Sequence, residues 1–291
     1  MTTADLGFAD TLCSIAGWNH TLDDWRRLLA LEPTGCFTAE NAGGAAGVAT
    51  TTTYGNKVAW TGMLLVHPNA RGQGIGTALL NHCLEWLRHR NVTCIKLDAT
   101  PEGQSLYEKL GFRTEWPLAR WERTVVPAGL HAESAASETE SCECLQPARN
   151  PDAVRSMLDR IEAIDTRAFG VSRRKVLASM LAAAEFAAWL PPRADAEPQG
   201  YGLLRRGSRS YYIGSAVASP TTGIRVIKQL VRAASGSTLY WDIPDAQSEV
   251  ISLAESLGFR RQRPYLRMHL GENIAPGRPS LQLGIADPAI G

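Results

Sequence analysis

Apolar positions along this chain follow two periods that alternate in blocks. Residues 74–90 carry Ile75, Leu79, Cys83 and Trp86 or Leu87 at steps of three and four, which sets them on one helical face. Residues 36–40, 45–54 and 57–66 are short runs that read as strands, separated by Asn41-Ala-Gly-Gly44 and by the hairpin pair Gly55-Asn56. Ahead of them, Thr3 is placed to cap a helix ending at Gly17, and Thr21 with Asp24 three residues on approximates a capping box for a second helix. After the long helix come a strand at 94–99, a short helix at 104–110 stopped by Gly111, and an extended region at 112–125. Helix, helix, hairpins and then β-α-β-α-β predict a mixed sheet with helices on its faces, an α/β fold of the α+β mixed-sheet kind.

The order then recurs. Residues 150–169 and 172–184 read as helices, 199–206 and 210–217 as strands, followed by a helix at 220–234, a strand at 238–243, a helix at 246–257 and a strand at 260–269. The halves even share words: Ser105-Leu-Tyr-Glu-Lys-Leu-Gly-Phe-Arg113 and Ser252-Leu-Ala-Glu-Ser-Leu-Gly-Phe-Arg260 agree at seven of nine positions. Residues 131–143 are rich in Ala, Ser and Glu and read as a linker, and from Gly271 a tail bearing Pro and Gly shows no clear periodicity. The expected division is a first domain at 1–130, a linker at 131–144, a second domain at 145–270 and a tail at 271–291. A chain of 291 residues with 44% apolar content suits two domains.

Composition narrows the partners. Thirty basic against 29 acidic residues leave a net charge of +1, so no overall field favours nucleic acid or an anionic membrane, and neither is expected as a partner. No Lys or Arg precedes Arg26, whereas Asp5 and Asp10 do, so a basic leader is not expected. The longest apolar run, 176–190, is broken by Ser179 and Glu185 and is too short for a bilayer. A cytoplasmic monomer or homodimer is the expectation. Of six cysteines, four (13, 36, 83 and 94) lie in apolar segments and read as core; Cys142 and Cys144 form a CxC without partners at ligand spacing, so no metal is expected.

Candidate chemistry gathers where Val66-His-Pro-Asn-Ala-Arg71-Gly-Gln-Gly-Ile-Gly76 joins a strand to the long helix. Alternate glycines let backbone N–H groups approach an anion, and the helix start adds partial positive charge, which together suit a phosphate or pyrophosphate. A dinucleotide site competes, with Asp98 at about the spacing of a ribose-binding acid. Against it, the third glycine comes one residue early, residues 67–71 separate strand from glycines, and the unit sits mid-domain.

The stretch VHPNARGQGIGTALL followed by SLYEKLGF resembles the coenzyme A loop and C-terminal motif of GNAT-type N-acetyltransferases. The whole chain is similar to tandem members, in which a degenerate second GNAT-like domain follows the first. That resemblance implies an acetyl-CoA-dependent N-acetyltransferase, its acceptor a small-molecule amine or a protein or peptide amine, attacked directly in a ternary complex. The amides of Arg71, Gly72, Gln73, Gly74, Ile75, Gly76 and Thr77 would hold the coenzyme A pyrophosphate. Leu64, Leu65 and Val66 would pair with the pantetheine arm as a peptide pairs with a sheet edge, an amide near Leu65 facing the developing oxyanion. Tyr107 would be the general acid for the leaving thiolate, with a packed aromatic as its plainer role. Thr100 stands where relatives often place an Asn against the cofactor.

The base is less plain. Residues 57–67 hold no carboxylate, and Trp60 stands about where relatives carry one, which leaves His67, Asp98 or water. Trp18, Asn19, His20 and Asp23 lie where relatives line the amine side, although Trp18 also suits a core and Asp23 a helix start. In the second half, Val217-Ala-Ser-Pro-Thr-Thr-Gly-Ile-Arg225 offers one glycine, and Ala254 replaces the phenol, so a fold kept with its activity lost is expected there. Two other readings remain open: a non-catalytic acyl-CoA-binding regulator, and an NAD(P)-binding oxidoreductase.

Overall fold

Local signals at the chain start set the first helices. Thr21 caps α2 (Leu22–Leu31) through a reciprocal box, its hydroxyl accepting from the Asp24 amide at 3.3 Å while its own amide donates to the Asp24 carboxylate at 2.7 Å. One helix earlier, Thr2 rather than Thr3 is the cap; it opens a 3-10 turn, Thr3–Asp5, that leads into α1 (Leu6–Ala16), and Gly17 ends α1 with a left-handed φ of 70°. This computed structural model describes residues 1–124, 142–147, 150–190 and 199–291. The expected linker falls outside the described residues over 131–141.

The remaining elements follow in chain order. In the first half they are β1 (Cys36–Asn41), β2 (Gly44–Tyr54), β3 (Val58–Val66), α3 (Ile75–His89), β4 (Cys94–Ala99), α4 (Pro101–Lys109) and β5 (Arg113–Arg123). In the second they are β6 (Glu143–Leu145), α5 (Pro151–Phe169), α6 (Arg174–Ala183), β7 (Ala184–Leu190), β8 (Gly200–Arg206), β9 (Tyr211–Ala218), α7 (Pro220–Ala233), β10 (Leu239–Pro244), α8 (Ser248–Ser256), β11 (Arg260–Gly271) and β12 (Gln282–Gly284). Strand β7 was not expected. It continues the apolar run of α6 without a turn residue, and there the helical and strand periods cannot be separated by eye.

The chain divides into two compact units that do not follow linear order. The first comprises Met1–Trp116, Leu266–Pro276 and Pro288–Gly291; the second comprises Pro117–Tyr265 and Gly277–Asp287. In the first unit the strand order is β1-β2-β3-β4 and then the 266–271 part of β11, with β3 and β4 parallel and β11 antiparallel to β4. In the second, the 117–123 part of β5 pairs antiparallel with β10, followed by β9, β8, β7 and β6, with β12 added on β9. Each unit therefore takes an edge of its sheet from the other half of the sequence.

Each unit has its own core. In the first, Leu80, Leu84 and Leu87 of α3 pack on Ala59 of β3 and on Ile95, Leu97 and Ala99 of β4. Alternation along β4 sends Lys96 and Asp98 to the opposite face. There Lys96 donates to Glu115 at 3.0 Å and to the Ala275 carbonyl at 2.6 Å, which satisfies a buried ammonium whose pKa burial lowers. In the second, Trp241 of β10 packs among Val226, Ile227 and Leu230 of α7 and Leu283 of β12.

Candidate functional site

Strands β3 and β4 run side by side for only three residues. Val58 faces Cys94, Ala59 faces Ile95 and Trp60 faces Lys96; beyond that, among the described residues, no pairing joins them. A β-bulge accompanies the parting. Between the pairs Thr50–Gly62 and Val48–Leu65 the register of β2 and β3 shifts, and Met63 takes a φ of 51°. Such a bulge bends a strand and re-aims its groups, so residues 64–66 leave the ladder to β4 and line one arm of a fork. Residues 97–99 line the other, bonded on their far side to β11.

The loop at the head of this fork keeps its amides open. His67 accepts from the Asn69 amide at 3.3 Å to cap the turn Pro68–Ala70, so it serves the loop. Arg71 donates through Nε to the Val66 carbonyl at 3.2 Å. Gly72 and Gly74 have φ of 76° and 78°, a region costly for residues with a Cβ, and the space beside both is open. Gly74 begins α3 without a side-chain cap. Among the described residues, the N–H groups of residues 72–77 meet no acceptor, the state in which a helix start receives an anion. Arg71, Gly72, Gln73, Gly74 and Thr77 are exposed, Ile75 and Gly76 half-buried.

Helix α4 brings Tyr107 to the same place. Its ring lies edge-on to Phe112 at 5.8 Å between centroids, and both Tyr107 and Leu64 pack on the core between α3 and β4. Gly103, one turn earlier, leaves the ring its room: a Cβ there would sit 2.9 Å from Tyr107 Cε2. Burial, with a smaller contribution from Cys83, pushes the phenol up to about 12. Tyr107 is therefore a neutral O–H at ordinary pH. Gly76 lies within reach of Val66 and Leu106, so loop, strand end and α4 converge. Thr100 precedes α4 as its extended cap residue and makes no side-chain cap bond.

The α1–α2 connection is built differently. Trp18 and His20 are half-buried with ring centroids 5.9 Å apart, and Asn19 is buried. Asp23 is exposed and pairs with Arg26 at 2.7 Å, a helix-surface pair. Asp98 is committed elsewhere: both of its oxygens accept from Arg267 at 2.9 Å. That guanidinium also lies 4.6 Å from the Trp60 ring and 4.2 Å from the Trp116 ring. The acid that a ribose would need, or that an attacking amine would use, is thus already paired inside the first unit.

One set of residues lining β3 was not read from the sequence. Residues 288–290 lie against β2 and β3: Trp60 Nε1 donates to the Pro288 carbonyl at 2.9 Å, and Tyr54 at the end of β2 donates to the Ile290 carbonyl at 2.6 Å. At Gly62 an added Cβ would fall 2.4 Å from the Ala289 carbonyl oxygen. The only available signal was Gly62 itself, a glycine inside a strand, which often marks a close backbone approach.

Comparison with known proteins bears on the family and the fold. Residues 9–112 match the acetyltransferase (GNAT) family, and residues 161–283 match an acetyltransferase (GNAT) domain. The Bacillus subtilis (strain 168) protein named "Uncharacterized N-acetyltransferase YitH" is 25% identical over 207 residues, 69% of this chain and 65% of its own length. Other curated relatives align over 36% and 34% of theirs. A crystal structure from Pyrococcus horikoshii superposes with a TM-score of 0.79 at 24% identity, over 100% of this chain and 94% of that one. A tandem GNAT protein from the clavulanic acid biosynthesis pathway superposes with a TM-score of 0.62 at 15% identity, over 99% and 98%. Two GNAT domains in succession, on a fold shared with tandem GNAT structures, place this chain in the GNAT acetyltransferase family as a tandem member.

No helix among the described residues is long and apolar enough to cross a membrane. No group of three or more His, Cys, Asp or Glu among them is placed to hold a metal ion.

Proposed function

We propose that the first unit transfers an acetyl group from acetyl-CoA to a primary amine, on a small molecule or on a protein or peptide, by direct attack in a ternary complex. The observation that carries this reading is the open fork between β3 and β4, headed by unclaimed loop amides and flanked by a neutral phenol. Acetyl-CoA supplies the acyl group activated as a thioester. The amides of residues 72–77, with Arg71 beside them, hold its pyrophosphate, and Leu64, Leu65 and Val66, which have left the ladder to β4, orient the amide-bearing arm. An amide near Leu65 faces the carbonyl oxygen as negative charge develops on it. The amine forms its new N–C bond as the C–S bond breaks; Tyr107 Oη offers its proton to the leaving sulfur, and water takes the proton lost by the amine. Thr100 and the α1–α2 residues Trp18, Asn19, His20 and Asp23 are the proposed cofactor and acceptor neighbours.

A second reading has one observation in its favour. With Asp98 bound to Arg267 and Trp60 on β3, the arms of the fork offer no free carboxylate as base among the described residues, which suits a protein that binds acyl-CoA without turning it over. Thiol release from acetyl-CoA against a panel of amines separates the two. Amine-dependent release supports the transferase; saturable coenzyme A binding with no release from any amine supports the binding protein.

A further inference from the structure

The second unit contains the same fork, and it is full. Strands β9 and β10 also pair in parallel for three residues, Tyr211 with Leu239, Tyr212 with Tyr240 and Ile213 with Trp241. Beyond them the chain's own β12 lies between the arms. Gln282 and Gly284 pair with Val217 and Ala216 of β9, while the Ile285 amide donates to the Asp242 carbonyl of β10 at 3.1 Å and Trp241 Nε1 donates to the Leu283 carbonyl at 2.9 Å. Both arms are therefore bonded to one inserted segment.

Packing fixes that segment as firmly as its hydrogen bonds do. Leu283, Ile285 and Ala286 are buried at 1%, 1% and 0% exposure. The Leu283 side chain lies on Gly223 in the first turn of α7, so closely that a Cβ on Gly223 would sit 2.0 Å from Leu283 Cδ1. Gly214 of β9 likewise leaves room for the Ile285 carbonyl, 2.2 Å from where its Cβ would be. Arg205 anchors the exit, donating to the Ala286 carbonyl at 3.0 Å and the Asp287 carboxylate at 3.2 Å.

We propose that β12 is a resident ligand of the second unit: the fork there is a binding site for an extended, amide-bearing chain, and residues 282–286 occupy it in cis. An extended strand between parting strands makes the contacts by which sheet edges capture peptides. It leaves no free edge for an amide-bearing arm from solution. The chain accordingly takes one coenzyme A, and the loss of glycines and phenol from the second half follows from an occupied cleft. This inference concerns the second unit and does not depend on turnover in the first.

Amide hydrogen exchange of the full chain, with and without saturating coenzyme A, reads this directly. In the wild type, peptides covering residues 214–218 and 240–243 exchange slowly, and coenzyme A does not change them. Gly284→Ala, whose Cβ would fall 2.6 Å from Trp241 Nε1, loosens β12 and speeds exchange of both arms at least about tenfold. Leu283→Ala, which removes the side chain packed on Gly223 without adding a clash, speeds it as well and serves if the first variant unfolds. Coenzyme A that slows exchange at β9 and β10 in the wild type, two equivalents bound per chain, or arms as protected in both variants as in the wild type would each overturn the proposal. Absence of coenzyme A binding anywhere would count against the chemistry of the first unit, and the two variants would still decide the second.

Discussion

Asp98 and Arg267 face each other in register across β4 and β11 and share two hydrogen bonds of 2.9 Å, although 169 residues separate them. Both side chains are buried, and the guanidinium is flanked by Trp60 and Trp116. This pair decides what Asp98 does: it holds β11 in the first unit.

Removing one partner leaves the other charge buried. Arg267→Met should cost about 3 to 5 kcal/mol of stability, whereas Asp98→Leu combined with Arg267→Met should recover most of that loss. Urea denaturation of the two single variants and the double variant measures it. If Asp98 instead served as a base, Asp98→Asn would remove an acidic limb from the pH–rate profile and Arg267→Met would be mild.

Gly74→Ala tests the loop. At a φ of 78° an L-residue with a Cβ is strained by about 1 to 2 kcal/mol, and the helix start is displaced from the anion position. The Kd for coenzyme A should rise about tenfold, while Tm moves by only a few degrees. Calorimetry beside a thermal melt separates the two effects.

Tyr107 should leave a mark on pH dependence. Its folded pKa is raised from 10.0 to about 12, so the neutral form that folding favours is fully present below pH 10, and its stabilising contribution is lost as pH rises through about 12. Tyr107→Phe should flatten that part of the stability curve. For the same reason, no falling limb of the rate profile near pH 9 to 10 should belong to this phenol, and a limb there that vanished in Tyr107→Phe would contradict the raised pKa.

Gly62→Ala tests the segment lying on β3. A Cβ at 2.4 Å from the Ala289 carbonyl forces residues 288–290 away, so stability should fall by about 1 to 3 kcal/mol and the tail should be cut sooner by protease. Unchanged proteolysis would show that the segment is not held there.

What the sequence made legible was local. The capping box at Thr21 and Asp24, the hairpin at Gly55-Asn56, the helical face of α3 and the glycine loop all depend on residues within one or two turns of each other. What escaped depends on distant partners. Strand β12 reads as a Pro/Gly tail because a three-residue strand shows no period, and its meaning lies in β9 and β10. The same holds for 288–290 on Trp60, and for Asp98, whose spacing from the glycines suggested a ribose acid until Arg267 supplied its partner. Strand β7 was lost in the apolar run it shares with α6.

The most direct test of the account is Tyr107→Phe assayed for thiol release from acetyl-CoA with the best amine, beside its coenzyme A affinity by calorimetry. Affinity should stay within about twofold of wild type while turnover falls by about 10²- to 10⁴-fold, the usual contribution of a positioned acid. Turnover unchanged with affinity unchanged would contradict it.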